Sequence, residues 1–229
     1  DLRDQRTRYV AQREVKTTHP SQQQNLDQIV SEKTMVNAIV ALLATGGSTN
    51  HTIHLIAIAK AAGIIINWDD FASLSSVVPS LTRIYPNGQA DINVFHGAGG
   101  VPYLIQTLLQ GGLLHEDVET IMGHGLSQYC QEPKLISSKL VWQPAPAESA
   151  NSDVLTNVAE PFSKTGGLVT LEGNLGRSVA KVSAVKTEHW TVEAEALVFD
   201  SQVGFEQAFQ AGALERDFIA VLRFQGPQA

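Results

Sequence analysis

The first twenty-five positions of the chain are polar, and the apolar positions take up a helical beat only from Leu26 onward. Asp1–Lys16 is charged without an apolar stripe. It reads as the end of a solvated helix that either packs against something outside it or frays. Met35, Val36, Ile39, Val40 and Leu43 then fall on one helical face, with Asp27 or Ser31 as caps and Gly46-Gly47 as the stop. Ser48-Thr49-Asn50 supplies N-cap chemistry for a second helix from His51 to Ala62, apolar nearly all round and therefore expected to be buried, with Gly63 ending it. Ile64-Ile65-Ile66 reads as a short buried strand, and 67–78 as a helix ended before Pro79. Leu81–Tyr85 is a further candidate strand, followed by a Pro86-Asn87-Gly88 turn. A glycine-rich turn, Val94–Gly100, leads into a helix over Val101–Gln110, and His115–Met122 reads as a short acidic helix.

The character changes at Pro133. Residues 133–161 carry Pro133, Pro144, Pro146 and Pro161 with little periodicity, which predicts a linker or wrapping segment. Strand signals dominate afterwards: 167–172 and 179–185 flank the turn Gly173-Asn174-Leu175-Gly176, and 196–199 and 218–224 flank a helix over 201–211. The pattern predicts a helix-rich α/β/α domain over 1–132, a Pro-rich linker over 133–161, and the start of a small β-barrel-like domain over 162–229. A second domain of that size has a thin core, and the polar start has no face to bury. The expectation is an α/β chain truncated at both ends.

Composition narrows the classes of function. Among 229 residues, Lys+Arg 16 against Asp+Glu 23 gives a net charge of −7, and 43% of residues are hydrophobic. That apolar share argues against disorder, and the sign of the charge argues against a nucleic-acid partner. No apolar run reaches membrane-spanning length and no signal-peptide pattern opens the chain, so a cytoplasmic protein is expected. Cys130 is the single cysteine, too few for a disulfide and too few to hold a zinc ion or an iron–sulfur cluster.

Four places can carry chemistry. In Gly47-Ser48-Thr49-Asn50-His51, glycine lets the backbone approach a ligand, and small polar side chains stand where a helix N-terminus favours a phosphate or carboxylate. The same string is also what a glycine C-cap followed by an ordinary N-cap produces, and it lacks the Lys and spacing of a P-loop. His51 and His54 share a helix and are either a metal pair or hydrogen-bonded pocket histidines. His96, opening His96-Gly97-Ala98-Gly99-Gly100, is a proton carrier, an anion contact or part of a tight turn. Gly173–Arg177 is a hairpin turn whose arginine can meet a phosphate. Nucleophile elbows, metalloprotease motifs and dinucleotide fingerprints do not occur.

Taken as a set, Asn37-Ala38-Ile39, the loop 46–51, Phe95–Val101, Gly173–Gly176 and Arg223-Phe224-Gln225-Gly226-Pro227 resemble the dihydroxy-acid/phosphogluconate dehydratase family in order and spacing, from about residue 26 to 229. His51 after Gly-Gly-Ser-Thr-Asn, His96-Gly97-Ala98, and Arg177 after Gly176 favour its phosphogluconate branch. The resemblance implies a hydro-lyase that removes water from 6-phosphogluconate, giving 2-keto-3-deoxy-6-phosphogluconate in the Entner–Doudoroff route. A base would take the proton beside the carboxylate while the exposed iron of an iron–sulfur cluster, of 4Fe–4S type, acts as Lewis acid on the departing hydroxyl. It also implies a large α/β domain with a smaller β-barrel domain, and a homodimer. The family's cluster cysteines lie upstream of the Gly-Gly-Ser-Thr-Asn loop, whereas residues 1–45 contain none and Cys130 matches none. The family's Gly-Met-Pro-Glu motif and serine base would lie beyond Ala229.

The expectation is therefore a segment without catalytic or metal-ligating residues of its own, inactive when isolated. Gly47, Ser48, Thr49, Asn50, His51, His96 and Asn174 are its substrate-binding candidates, and a phosphorylated sugar acid is the ligand. Two alternatives stand beside it: a dihydroxy-acid or other sugar-acid dehydratase, and a non-catalytic binding module on the same scaffold.

Overall fold

The computed structural model describes residues 1–19 and 23–225. Pro20 and Ser21, and the Gly226-Pro227 end of the string used above, lie outside the described residues. The chain divides into two compact units, Asp1–Val185 and Lys186–Ala229.

In the first unit, α1 (Leu2–Thr17), α2 (Leu26–Ile29), α3 (Glu32–Thr45), α4 (Thr49–Ala61), α5 (Trp68–Val77), α6 (Ile92–Gly97) and α7 (Gly100–Gln110) come first. Three antiparallel pairs follow: β1 (Glu119–Thr120) with β2 (Gly123–His124), β3 (Gln131–Ile136) with β4 (Lys139–Pro144), and β5 (Leu168–Gly173) with β6 (Gly176–Lys181). The second unit contains β7 (Ala196–Phe199), α8 (Gln202–Gln210) and β8 (Ile219–Leu222). There β7 and β8 pair in parallel, and Phe205 of α8 meets Phe199 edge to face at 5.3 Å. The chain is thus of α/β class. Its described strands form four two-stranded sheets rather than a closed barrel.

α3 is the central helix of the first unit. Ser31 caps it by accepting from the Thr34 N–H, Ile39, Val40 and Leu43 are fully covered, and Gly46 ends it at φ +57°. Only glycine takes that left-handed exit without steric cost. Leu81 and Leu108, with Leu155 from the 145–161 segment, close the core around it. The β5–β6 hairpin lies along α5, with Ser75 Oγ donating to Leu168 O, Thr170 Oγ1 donating to Trp68 O, and Arg177 paired to Asp69.

Several local readings are corrected. α4 is covered only at Thr52, Leu55 and Ala59, and Ile53 and Ile58 on its other face are 40% and 49% exposed. Ile64–Ile66 is no strand, because no described segment pairs with it, and Ile65 is 91% exposed. The helix expected over 115–122 is replaced by a turn and the β1–β2 pair. The Asn37 carboxamide takes both the N–H and the C=O of His115, and Gly123 turns the chain at φ +115°. The Pro-rich stretch begins with a regular hairpin, β3–β4, turned by Ser137 and Ser138 at positive φ. Pro133 is tolerated there because a two-stranded ladder consists of edges only. α1 is without buried residues, yet it is tied down: the Arg13 guanidinium donates to Ile121 O and Met122 O, and Tyr9 meets Trp142.

Candidate functional site

The best-built polar junction of the first unit lies where α3 gives way to α4. A helix ends with carbonyls that lack intrahelical donors. Here one segment, 81–87, supplies them. Leu81 N–H donates to Ala44 O at 2.7 Å and Thr82 Oγ1 to Thr45 O at 2.8 Å. Asn87 Nδ2 donates to Thr45 O at 3.2 Å and to Gly46 O at 2.9 Å. The Gly46 and Gly47 N–H groups turn back to Leu43 O and Leu42 O, at 3.2 and 2.9 Å. Asn87 Oδ1 in turn accepts from Ser183 Oγ at 2.8 Å. Ser183 is held at the base of the β5–β6 hairpin, where its N–H and that of Val182 both donate to Gly167 O.

From this junction the chain enters α4 through Ser48, whose Oγ accepts from the Asn50 N–H at 3.2 Å while its carbonyl accepts from the His51 N–H at 2.9 Å. The Ser48 and Thr49 N–H groups make no hydrogen bond among the described residues. Ser48, Thr49, Asn50 and His51 are all exposed, and Gly47 is half-buried. Between Thr45 and Trp68 the sequence holds Lys60, His51 and His54 and no carboxylate. Two free N–H groups stand at the positive end of a thirteen-residue helix, flanked by two hydroxyls, a carboxamide and an imidazole, a set of groups whose chemistry suits an anion.

Neither of the other two candidates bonds to this loop among the described residues. His96 is exposed near the C-terminal end of α6, and no hydrogen bond joins it to residues 47–51 among the described residues. Asn174 is at the tip of the β5–β6 hairpin, whose base touches the loop: a Cβ on Gly167 would stand 3.7 Å from Gly46 Cα. Six strand residues separate base from tip, which at the usual rise is about 20 Å. Arg177 near that tip is committed to Asp69, whose carboxyl it holds below the usual carboxylate range. His51 and His54 are exposed, and no group of three or more His, Cys, Asp or Glu that could hold a metal occurs among the described residues.

Thr82, Asn87 and Ser183 were not singled out from the sequence. Asn87 was visible only as the middle of a Pro-Asn-Gly turn, and Ser183 carries no local signal at all. Lys181, at the end of β6, has its amine pushed below the usual lysine range by desolvation. Cys130 is half-buried. Burial, and then the nearby Glu116 carboxylate, push its thiol upward, which keeps it protonated and a poor ligand. One such thiol does not fit an iron–sulfur cluster, which takes several thiolates. The residues of this chain therefore do not constitute a cluster site.

A wider cleft of about 660 Å³ opens between α7 and the 147–160 segment. Glu148 and Glu160 line it, with Thr107 Oγ1 accepting from the Val158 N–H and Asn157 Oδ1 from the Ala159 and Glu160 N–H groups. Its two carboxylates make it a poor seat for an anion.

Residues 1–129 match the family model described as dihydroxy-acid/6-phosphogluconate dehydratase N-terminal, and residues 153–229 match its C-terminal counterpart. The chain is 55% identical to a phosphogluconate dehydratase of Pseudomonas aeruginosa over all 229 residues, which are 38% of that protein. It is 55% identical to the Escherichia coli phosphogluconate dehydratase over 89% of this chain and 34% of the relative. A dihydroxy-acid dehydratase of Caldanaerobacter subterraneus is 36% identical over 88% of the chain and 34% of the relative. The chain thus spans little more than a third of the length of these curated relatives.

Proposed function

Because the chain belongs to the dihydroxy-acid/6-phosphogluconate dehydratase family, we propose that it is a segment of a hydro-lyase acting on 6-phosphogluconate. The observation that carries this reading is the 55% identity to a phosphogluconate dehydratase along the entire chain, against 36% to a dihydroxy-acid dehydratase. The reaction removes the proton beside the carboxylate and the neighbouring hydroxyl as water. The enol left behind becomes 2-keto-3-deoxy-6-phosphogluconate, a step of the Entner–Doudoroff route.

Within this chain the share of that work is binding. The loop Gly47–His51 contacts the phosphate or carboxylate of the sugar acid through the Ser48 and Thr49 N–H groups and the side chains around them. Its lack of carboxylates and its helix-end field support this role. His96 is a second contact, reached from α6. Asn174, a strand's length away, is left outside the contact set. The iron–sulfur cluster is held by ligands outside these residues, and the enzyme is a cytoplasmic homodimer. The chain comprises an N-terminal α/β part (1–132), a connection (133–161) and a C-terminal part (162–229), a division in keeping with the two matched ranges.

The test is turnover by the longer protein that contains this chain. Formation of the 2-keto-3-deoxy product from 6-phosphogluconate, in preference to dehydration of a branched 2,3-dihydroxy acid, is the expected result. The opposite preference moves the assignment to the dihydroxy-acid branch. Turnover of neither, with 6-phosphogluconate bound, leaves a binding module.

A further inference from the structure

We infer that Asn87 is the positioning residue of the anion loop, clamping the two peptide planes that precede it, and that Ser183 holds the clamp in place. The inference rests on the anion reading given above.

The plane that joins Thr45 to Gly46 carries the Thr45 carbonyl and the Gly46 N–H. The carbonyl is held by Asn87 Nδ2 and Thr82 Oγ1, and the N–H by Leu43 O. The next plane carries the Gly46 carbonyl, held by Asn87 Nδ2, and the Gly47 N–H, held by Leu42 O. Both planes are therefore fixed at both ends, and a peptide plane is rigid between its ends. The plane after them carries the Ser48 N–H, the first free donor of the loop. Two glycines in succession would otherwise leave the direction of that donor loose, since glycine has the widest conformational range of any residue.

The carboxamide is fully used: both Nδ2 hydrogens point at carbonyls and Oδ1 accepts from Ser183 Oγ. The flipped amide would set its oxygen against two carbonyl oxygens, so only one orientation is compatible with these partners. No charged side chain bonds to Asn87 among the described residues. Asn87 lies in the range matched by the N-terminal family model and Ser183 in that matched by the C-terminal one. The aim of the anion loop is accordingly set by a contact between the two matched ranges.

The test compares the chain with its N87A, N87D and S183A variants in two measurements. Amide exchange by NMR reads the clamp at Gly46 and Gly47, with Leu108 in the covered core as reference. Titration with inorganic phosphate and with 6-phosphogluconate, followed by phosphorus NMR, reads the anion site. N87A is expected to speed exchange at Gly46 and Gly47 about tenfold and weaken anion binding about tenfold, the size of effect that losing one or two hydrogen bonds produces, with Leu108 unchanged. S183A gives a smaller change of the same sign.

N87D separates positioning from bulk. Its carboxylate has no proton to give the two carbonyls, so near neutral pH it behaves like N87A. A carboxyl facing carbonyl oxygens favours its neutral form, so its proton returns as pH falls toward about 4 and one donor is restored. Loop protection and affinity, taken relative to wild type at each pH, then recover.

Unchanged loop exchange and affinity in N87A, or an N87D without pH-dependent recovery, overturns the inference. Should N87A also lose the Leu108 protection, S183A and the pH dependence of N87D decide, and unchanged loop exchange in S183A together with a flat N87D profile overturns it. Wild-type chain that binds neither phosphate nor 6-phosphogluconate overturns the anion reading, and the positioning role with it. Wild type that binds, with N87A equally tight, overturns the positioning role alone.

Discussion

Gly46→Ala measures how much of the first unit's stability depends on the α3–α4 junction. Two costs add. Gly46 sits at φ +57°, where an L-residue with a Cβ pays about 1 kcal/mol. The new Cβ would also overlap Asn87 Nδ2 and stand 2.9 Å from its Cγ, so the carboxamide must leave. Its departure strips the Gly46 carbonyl and the Ser183 hydroxyl of their partners, at about 1 kcal/mol each, while Thr45 O keeps Thr82. The sum is about 3 kcal/mol. Gly63→Ala is the matched control: φ is +77°, but nothing lies within 4 Å of the added Cβ, so only the conformational cost of about 1 kcal/mol applies. The expected difference of about 2 kcal/mol corresponds to roughly 4–8 °C in Tm for a chain of this size. Urea titration and thermal melting followed by circular dichroism read both variants on the same scale. Equal destabilisation by the two substitutions, within about 0.5 kcal/mol, would refute the account of Asn87 as a structural clamp.

Three further outcomes follow from the same structure. Asp69 is held ionised by the Arg177 hydrogen bond and charge, and Asp91 by the Val94 and Asn93 N–H groups at the start of α6, so both carboxyls titrate below their ordinary range. Their stabilisation is present above the unfolded carboxylate value near about 3.9 and is lost as pH falls through the lowered folded values. The double variant D69N/D91N should therefore flatten the acid limb of a plot of urea midpoint against pH, and an unchanged limb counts against it. Cys130, protonated through burial and the Glu116 charge, should react with iodoacetamide at pH 8 several-fold more slowly than a free thiol peptide, and equal rates would contradict its burial. Asn174→Ala should leave phosphate affinity within about twofold, whereas Ser48→Ala, which removes the cap of α4, should weaken it and cost about 1 kcal/mol of stability. The reverse ranking would bring the hairpin tip into the site.

What the sequence determined by itself is what short-range chemistry controls. Helix α3 between its Ser31 cap and Gly46 stop, α5 between its Asn67 cap and Pro79, α7 up to Gly111, the β5–β6 hairpin with its Gly-Asn turn, and the β7–α8–β8 run all follow from periodicity, caps and turn residues within a few positions. The Gly47–His51 string was legible for the same reason, since a helix N-terminus announces itself through its cap. Tertiary structure decided whatever depended on a distant partner. Ile64–Ile66 has strand composition but no strand beside it, and a ladder needs two chains of donors and acceptors. The 115–122 stretch has helical composition, yet the distant Asn37 carboxamide claims its first backbone groups. Asn174 and the Gly47–His51 loop, both glycine-flanked and polar, look equivalent as strings. They are separated by the length of a hairpin because Gly167, rather than the turn, meets Gly46. Asn87 and Ser183 stand 96 positions apart, and only the docking of the hairpin base onto the end of α3 makes them one hydrogen-bonded unit. A side chain whose role is to satisfy the backbone of another segment leaves no periodic trace in its own, so folding alone reveals it.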